Sequence, residues 1–478
     1  MDTSIFQDSQ LLSSLQTALE SSQRLALPKD QQPRQFQVAL IHSHARRSYS
    51  LFPWTAQVSQ NSVFVEDFLL VCSERISNTA EAGEKEEERY VPVYGLEGSL
   101  FTLSASNARL AYISKVDSTG LSPHAAGSPA SVLTAAFLSW LLHACRHSHF
   151  RLHIFAKAAS QYLFPSSAEN PTKRQLTDKQ LAKWWTRILT SLASPESVTL
   201  SGYALIPGLE WIEIRRLLSP LPDNWTVGLP TKPLVDVPES QQPTLGDIIP
   251  AFPDDPKSRY LTSLTSSPLG PAGEQGDYDE QYKALLHNNA GPAQMTEFEA
   301  QRSKEKRRLA ETSIDAFLEG LAWRQECCAG SLVGFLVLAS EPKEGRAKED
   351  LECPKPAKAG LPHAAYIKLW NAFHNTSYRS KAVAATDGHE GASEQDQVQR
   401  IVDAYRAWKS KLKDALAEGG DALLIDATVT ASTVDPTAKR KAEETANPAE
   451  ATQQQQSQQP SVMTLKPRKK AKPAPAQT

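Results

Sequence analysis

Cysteine is scarce and unpatterned in this sequence: Cys72, Cys145, Cys327, Cys328 and Cys353 are five in number, and none stands in a C-x-x-C pair. An odd count without paired spacing argues against a disulfide framework and against a thiolate zinc site, and it fits a reducing compartment. Long apolar runs are missing as well. The most apolar stretch, Ala130 to Cys145, carries Ser139 and His143 and falls short of the roughly 20 residues that a membrane-spanning helix needs. No secretory signal is found at the start. The expectation is a soluble intracellular protein without membrane contact. Tandem repeats are absent, and so is a strong net charge, since 51 Lys and Arg against 54 Asp and Glu leave −3. That balance hides an asymmetry. From Pro436 onward eight basic residues face three Glu, a balance of +5, so the preceding chain carries −8. A mildly acidic body with a basic tail suits a protein that meets basic partners and is addressed to the nucleus.

Apolar material is plentiful. Hydrophobic residues make up 40% of the 478, with 9 Trp, 15 Phe and 12 Tyr, whereas 32 Pro and a mean hydropathy of −0.41 call for long polar insertions or tails. A short helix is expected over Ser9–Leu19. Short β-rich runs follow at Phe36–His42, Ser62–Cys72, Tyr90–Tyr94, Ala111–Lys115 and Leu152–Phe155, interrupted by a charged insert from Glu81 to Arg89. Ser131–Cys145 reads as a buried helix. The best-defined helix runs from Thr177 to Ser194: Thr177 and Gln180 form a capping box, and Leu181, Trp184, Trp185, Ile188, Leu189 and Leu192 recur at helical spacing. A second amphipathic helix, Val398–Ala417, ends at Gly419-Gly420. Strands alternating with helices indicate an α/β domain with a central mixed sheet surrounded by helices. It is expected over residues 1–420, with mobile insertions at about 264–295 and 342–362. Residues 421–478 read as a disordered basic tail.

Three strings have chemical potential. Tyr112-Ile-Ser-Lys-Val-Asp-Ser-Thr-Gly120 is a strand running into a polar turn; Phe155-Ala-Lys-Ala-Ala-Ser-Gln-Tyr-Leu-Phe-Pro165 joins a strand to a loop; Phe252-Pro-Asp-Asp-Pro-Lys-Ser-Arg-Tyr260 opens a helix. With Lys183-Trp-Trp185, Leu205-Ile-Pro-Gly208, Trp323-Arg-Gln-Glu326 and the basic end Thr464–Lys472, they resemble, in this order, the fungal histone H-three acetyltransferases known as regulator of Ty transposition. The resemblance covers roughly residues 90–340 and the tail. It implies a fold like that of the CREB-binding-protein acetyltransferases, acetyl-CoA as co-substrate, and histone H-three as substrate, presented with H-four. The modified groups would be a core-domain lysine near the nucleosomal DNA entry site and some tail lysines. Two histone chaperones are implied, one of the anti-silencing-function type and one of the nucleosome-assembly-protein type, with roles in replication-coupled nucleosome assembly and the DNA damage response. A non-catalytic chromatin scaffold is the rival reading.

Local chemistry assigns humbler roles to the same residues. Asp255 before Pro256 suits a helix N-cap; the resemblance makes Asp254 and Asp255 residues needed for activity and Lys257 a site of autoacetylation. Asp117 suits an Asx-turn; the resemblance puts it beside the active site. Trp184 and Trp185 suit a core; the resemblance makes Trp185, with Tyr162, a wall of the lysine channel. Whether a carboxylate serves as general base, or the cleft merely orients and desolvates the amine, is open at this level. Backbone N–H groups where the Ser122–Ser128 loop enters the Ser131 helix suit a pyrophosphate. By resemblance Val116, Asp117, Ser118, Gly127, Ser128, Phe155, Ala159, Arg174, Gln175, Leu176 and Trp184 contact acetyl-CoA. Arg174 stands where one member of the family has a His. His143, His147, His149 and His153 lack an acidic or thiolate partner to complete a metal set, so no metal is expected. Lys439-Arg-Lys441 and Arg468-Lys-Lys470 read as a nuclear address or chaperone contact, without sequence-specific DNA binding.

Overall fold

A computed structural model describes residues 5–25, 33–55, 63–76, 89–123, 127–237, 240–265, 291–324, 327, 332–343, 359–380, 393–420 and 422–429. The tail with its two basic clusters, the charged insert up to residue 88, and most of both expected insertions lie outside the described residues.

Ten strands, β1 (Arg34–His42), β2 (Arg46–Arg47), β3 (Val63–Arg75), β4 (Tyr90–Leu103), β5 (Ala108–Ser118), β6 (His149–Lys157), β7 (Val198–Leu205), β8 (Trp225–Val227), β9 (Val333–Pro342) and β10 (Ala422–Val429), form one mixed sheet. Its order is β10-β1-β3-β4-β5-β6-β9-β7-β8, with β2 paired to β3. The helices are α1 (Ser9–Glu20), α2 (Ala130–Ala144), α3 (Asp178–Thr190), α4 (Trp211–Leu217), α5 (Leu245–Ile248), α6 (Pro256–Thr265), α7 (Pro292–Glu311), α8 (Ile314–Ala322), α9 (His363–His374) and α10 (Glu394–Ala417). Among the described strands, β5–β6 and β7–β8 pair in parallel and the other pairs are antiparallel. Parallel neighbours need a crossover, and α2 supplies it between β5 and β6. Such a unit leaves a crevice beyond the strand's carboxyl end, beside the helix N-terminus, where ligands bind open α/β sheets.

Burial explains the helices. Leu133, Phe137, Leu138, Trp140, Leu141 and Leu142 sink α2 into the main core. The capping box of Thr177 and Gln180 starts α3, which buries Ala182, Trp185, Ile188 and Leu189. Ile401, Val402, Tyr405, Trp408 and Leu412 fasten α10. A second cluster gathers α5, α6, α7 and α8 about Phe335 of β9, and a third forms around Phe252; Phe155 of β6 touches both.

The structure moves several expected boundaries: α3 ends at Thr190 rather than Ser194, α10 starts at Glu394 rather than Val398, and three larger changes accompany them. The strand expected over Tyr90–Tyr94 continues to Leu103, because pairing with β3 and β5 satisfies the backbone through Gly95, Glu97, Gly98 and Ser99, which break the apolar alternation. Gly98 has no room for a side chain: a Cβ there would stand 2.5 Å from the Tyr112 carbonyl. The domain does not stop at 420. After Gly419 turns at φ +97°, Ala422–Val429 pairs antiparallel with β1 as an outer strand, so the tail begins later than expected. The ends of both insertions belong to the body. Residues 264 and 265 finish α6, 292–295 open α7, and Leu361 is fully buried, its N–H donating to the His42 carbonyl at 2.8 Å.

Glu97 docks α9 on the sheet. Trp370 Nε1 donates to it at 2.9 Å, Lys115 Nζ at 3.0 Å and Ser114 Oγ at 3.2 Å, with His374 Nε2 3.4 Å away. Burial alone would raise its pKa, but His374, Lys115 and Trp370 together hold it at about 2, against 4.5 for an ordinary glutamate. A depressed folded pKa stabilises above the unfolded value and loses that stability as pH falls through the window from 4.5 to about 2. Wild-type melting temperature is therefore expected to drop across that window. Glu97→Gln should be less stable at neutral pH by about 3 kcal/mol and show a shallower acid decline. Parallel acid slopes in thermal melts of the two proteins would exclude this role.

Candidate active site

A cleft of about 1360 Å³ opens at the carboxyl end of β5 and the start of α2. That exceeds the usual small-molecule range of roughly 300–1,000 Å³ and suits a long ligand. Its walls bring together Val116, Asp117, Ser118, Gly127, Ser128, Ala159, Tyr162, Arg174, Gln175, Leu176 and Trp184, residues the sequence places up to 68 positions apart (116 to 184). Phe155 and Trp185 are not among the lining residues. Phe155 stacks on Phe335 with centroids 5.2 Å apart, and Trp185 is buried, edge-on to Trp184 at 4.8 Å.

The cleft is polar where α2 begins. Ser128 Oγ accepts from Ala130 N at 3.2 Å, and among the described residues no protein acceptor takes the next N–H groups, of Ser131 and Val132, which line the cleft. A helix start with open N–H groups attracts anions. Trp184 is oriented there by donating from Nε1 to Ser131 Oγ at 2.9 Å. Exposed Arg24, Arg174 and Arg187 add positive charge to the lining.

Asp117 is buried beneath this cleft. Its Oδ2 accepts from the backbone N–H of Tyr162 at 2.7 Å and of Leu163 at 3.0 Å; its Oδ1 accepts from Ser118 N at 2.8 Å and pairs with Lys173 Nζ at 2.8 Å. All four acceptor directions of the carboxylate are thereby used. Lys173 also donates to Ser167 Oγ at 2.7 Å. The loop after β6 is thus stapled to the end of β5, with half-buried Tyr162 presented at the cleft. Burial, then the charge of Asp117, raises the Tyr162 pKa, so its hydroxyl stays neutral. Gly120 closes the turn in the left-handed region, φ +74°, where a Cβ would lie 2.5 Å from Lys173 N.

A second cluster surrounds Asp255. This residue caps α6, accepting from Lys257 N at 2.8 Å, and its other oxygen pairs with Lys257 Nζ at 2.5 Å. Both side chains are buried, and the ammonium lies 3.8 Å from the centroid of Phe335. Burial lowers the Lys257 pKa, opposed by Asp255. Asp254 is different: it is exposed, adopts a left-handed φ of +59°, and meets Arg259 only at 3.5 Å. Phe252 stacks on Tyr112 at 4.3 Å, and His153 stands 5.2 Å from Phe252. Burial, then Lys257 and Arg151, push the His153 pKa well down. Phe155 and Phe335 join this cluster to β6, the strand that leads into the cleft-lining residues Ala158 and Ala159.

Sequence reasoning missed Lys173, hidden beside Arg174, and missed Asp178. Asp178 opens α3 and also accepts from Ala158 N at 3.2 Å and Leu332 N at 3.0 Å, tying both strand ends to the helix. An unexplained lysine next to a named binding residue was the one available signal.

A mixed sheet flanked by helices, a long cleft at the carboxyl end of β5 and an open helix start define an α/β protein with room for an extended anionic ligand. The same fold occurs in the crystal structure of Rtt109 from Aspergillus fumigatus, with a TM-score of 0.60 and 23% identity, covering 88% of this chain and 100% of that one. Residues 133–464 match the family described as the histone acetyltransferase KAT11-type domain, and the chain belongs to that family. It is also similar to histone acetyltransferase rtt109 of Aspergillus flavus, 28% identical over 305 residues, 57% of this chain and 49% of the relative. The Schizosaccharomyces pombe protein of the same name is 28% identical over 273 residues, 53% and 58% of the two chains. The Candida albicans one is 34% identical over 113 residues, 24% and 28%. The chain spans about half the length, or less, of these curated relatives.

Proposed function

We propose that this protein transfers acetyl from acetyl-CoA to lysines of histone H-three, in the nucleus. The observation that carries the reading is the cleft, whose uncapped α2 start and arginines match the charge of a coenzyme A pyrophosphate. Acetyl-CoA supplies an activated thioester there. The chain's own residues must hold a substrate amine that is only on the order of one part in a thousand neutral near pH 7, shed its proton and exclude water.

Asp117, fully engaged, positions Tyr162 and the loop that carries it. Asp255 sets the start of α6 and balances Lys257. Asp254, exposed and loosely paired, has the acceptor capacity to pass the amine proton to solvent. In the transfer an amide N–C bond forms as the thioester C–S bond breaks, and coenzyme A leaves as the thiol. Lys257 is the proposed autoacetylation site. Its acetylation would remove a buried charge and release the Asp255 carboxylate from its ion pair. The resemblance further supports H-three–H-four as the presented substrate, the core-domain lysine near the DNA entry site as the main target, and both chaperone types as partners in nucleosome assembly and the damage response.

The test is acetyl transfer by the purified chain to H-three–H-four, with and without chaperone, mapped by mass spectrometry. Core-lysine acetylation enhanced by chaperone is expected. No transfer by a folded protein under either condition would favour the non-catalytic scaffold.

A further inference from the structure

We infer that the buried Arg34–Glu74 pair is a positioning device for the cleft, holding the chain that enters α2 so that the helix start faces its ligand. Arg34 opens β1 and Glu74 lies near the end of β3, and both side chains are 0% exposed. The pair is bidentate: Nε to Oε1 at 2.6 Å and Nη2 to Oε2 at 3.0 Å. The guanidinium then reaches past its partner. Nη1 donates to the Gly127 carbonyl at 3.1 Å and Nη2 to Ser122 Oγ at 3.2 Å, while Ser122 donates to Glu74 Oε2 at 2.7 Å. Ser122 and Gly127 stand on either side of residues 123–126 in sequence, and both line the cleft.

Simple cohesion does not account for this arrangement. Two buried opposite charges are on balance no more stabilising than an apolar pair of similar volume. What they add is direction, because a guanidinium holds its donors in a fixed plane. Gly127 is followed by Ser128, which accepts from Ala130 N, and then by Pro129 and the first turn of α2. Fixing the Gly127 carbonyl therefore fixes the approach to the open N–H groups of Ser131 and Val132. The space is tight: a Cβ on Gly127 would stand 3.2 Å from the carbonyl of Arg24, another cleft residue. The inference rests on the acetyl-CoA reading of the cleft, and it places Arg34 and Glu74 behind the ligand contacts.

The test uses the full chain with Arg34→Met and Glu74→Leu combined, which removes the directed donors without stranding a buried charge. Coenzyme A binding is measured by calorimetry, melting temperature without ligand, and KM and kcat for acetyl-CoA. The double variant is expected to melt near the wild type, to bind coenzyme A about tenfold more weakly, the scale seen for outer-shell partners of bound groups, and to raise KM likewise with kcat within about twofold. Arg34→Lys, which keeps a charge opposite Glu74 but cannot reach Ser122 and Gly127 together, should weaken binding in the same direction. It carries the test should the double variant not fold. Wild-type affinity in a folded variant would reduce the pair to a structural role, and so would a loss confined to kcat. Absence of coenzyme A binding by the wild type is a separate result, overturning the cleft reading and the inference with it.

Discussion

Asp255→Asn is expected to lower acetyl transfer by about 100-fold, the scale of removing one preorganised polar group from an active site, while the protein stays folded. The asparagine still offers an oxygen to Lys257 N and so keeps the cap on α6. It no longer balances the Lys257 ammonium, which is buried over Phe335. Breaking a buried pair costs about 3–5 kcal/mol, and loss of the proton from Lys257 offsets part of that. A lower melting temperature is therefore part of the expected result. Pairing Asp255→Leu with Lys257→Met separates stability from turnover, since no buried charge remains. Stability should recover and turnover should not. Wild-type turnover in Asp255→Asn would remove this residue from the mechanism, and recovery of turnover in the pair would reduce Asp255 to a structural counter-ion.

Asp117→Ala should have an effect of similar size by another route. It strands the Lys173 ammonium, 4% exposed, and releases the N–H groups of Tyr162 and Leu163. The expected loss is about 3–5 kcal/mol of stability, together with at least about tenfold weaker coenzyme A binding as the loop bearing Ala159 and Tyr162 moves. Adding Lys173→Met removes the stranded charge. Melting temperature should then return toward wild type, while coenzyme A affinity stays low because the two N–H groups are still unheld. Wild-type affinity in the double variant would show that the loop keeps its place without the carboxylate.

These carboxylates illustrate how far local reading reaches. The cap expected of Asp255 is real, whereas Asp117 forms no Asx-turn among the described bonds: its side chain takes the N–H of the next residue, Ser118, rather than one two residues on. The rest of each role was invisible. For Asp117 it comes from a loop 45 residues downstream, and no spacing rule links β5 to that loop. For Asp255 it lies in a lysine only two residues on, whose burial depends on Phe335 from β9. The strand beyond Tyr94 was missed because Gly95, Glu97, Gly98 and Ser99 erase the alternation that marks a half-buried strand. The outer strand Ala422–Val429 was missed because two glycines look like a terminus.

By itself, the amino-acid sequence determined the capped start of α3 and the glycine-marked end of α10, the apolar faces of α2, α3 and α10, and the ordered strings on which the family resemblance rests. Those features depend on backbone groups and side chains within a few residues of one another, so they survive as pattern. Only the tertiary structure decided that β5 and β6 run in parallel, that the cleft opens at the carboxyl end of β5 beside the start of α2, and that Trp184 lines it while Trp185 is buried. It also decided which lysine balances which aspartate. A buried charge takes its partner from whatever packing brings within about 3 Å, and packing joins segments that the chain keeps far apart.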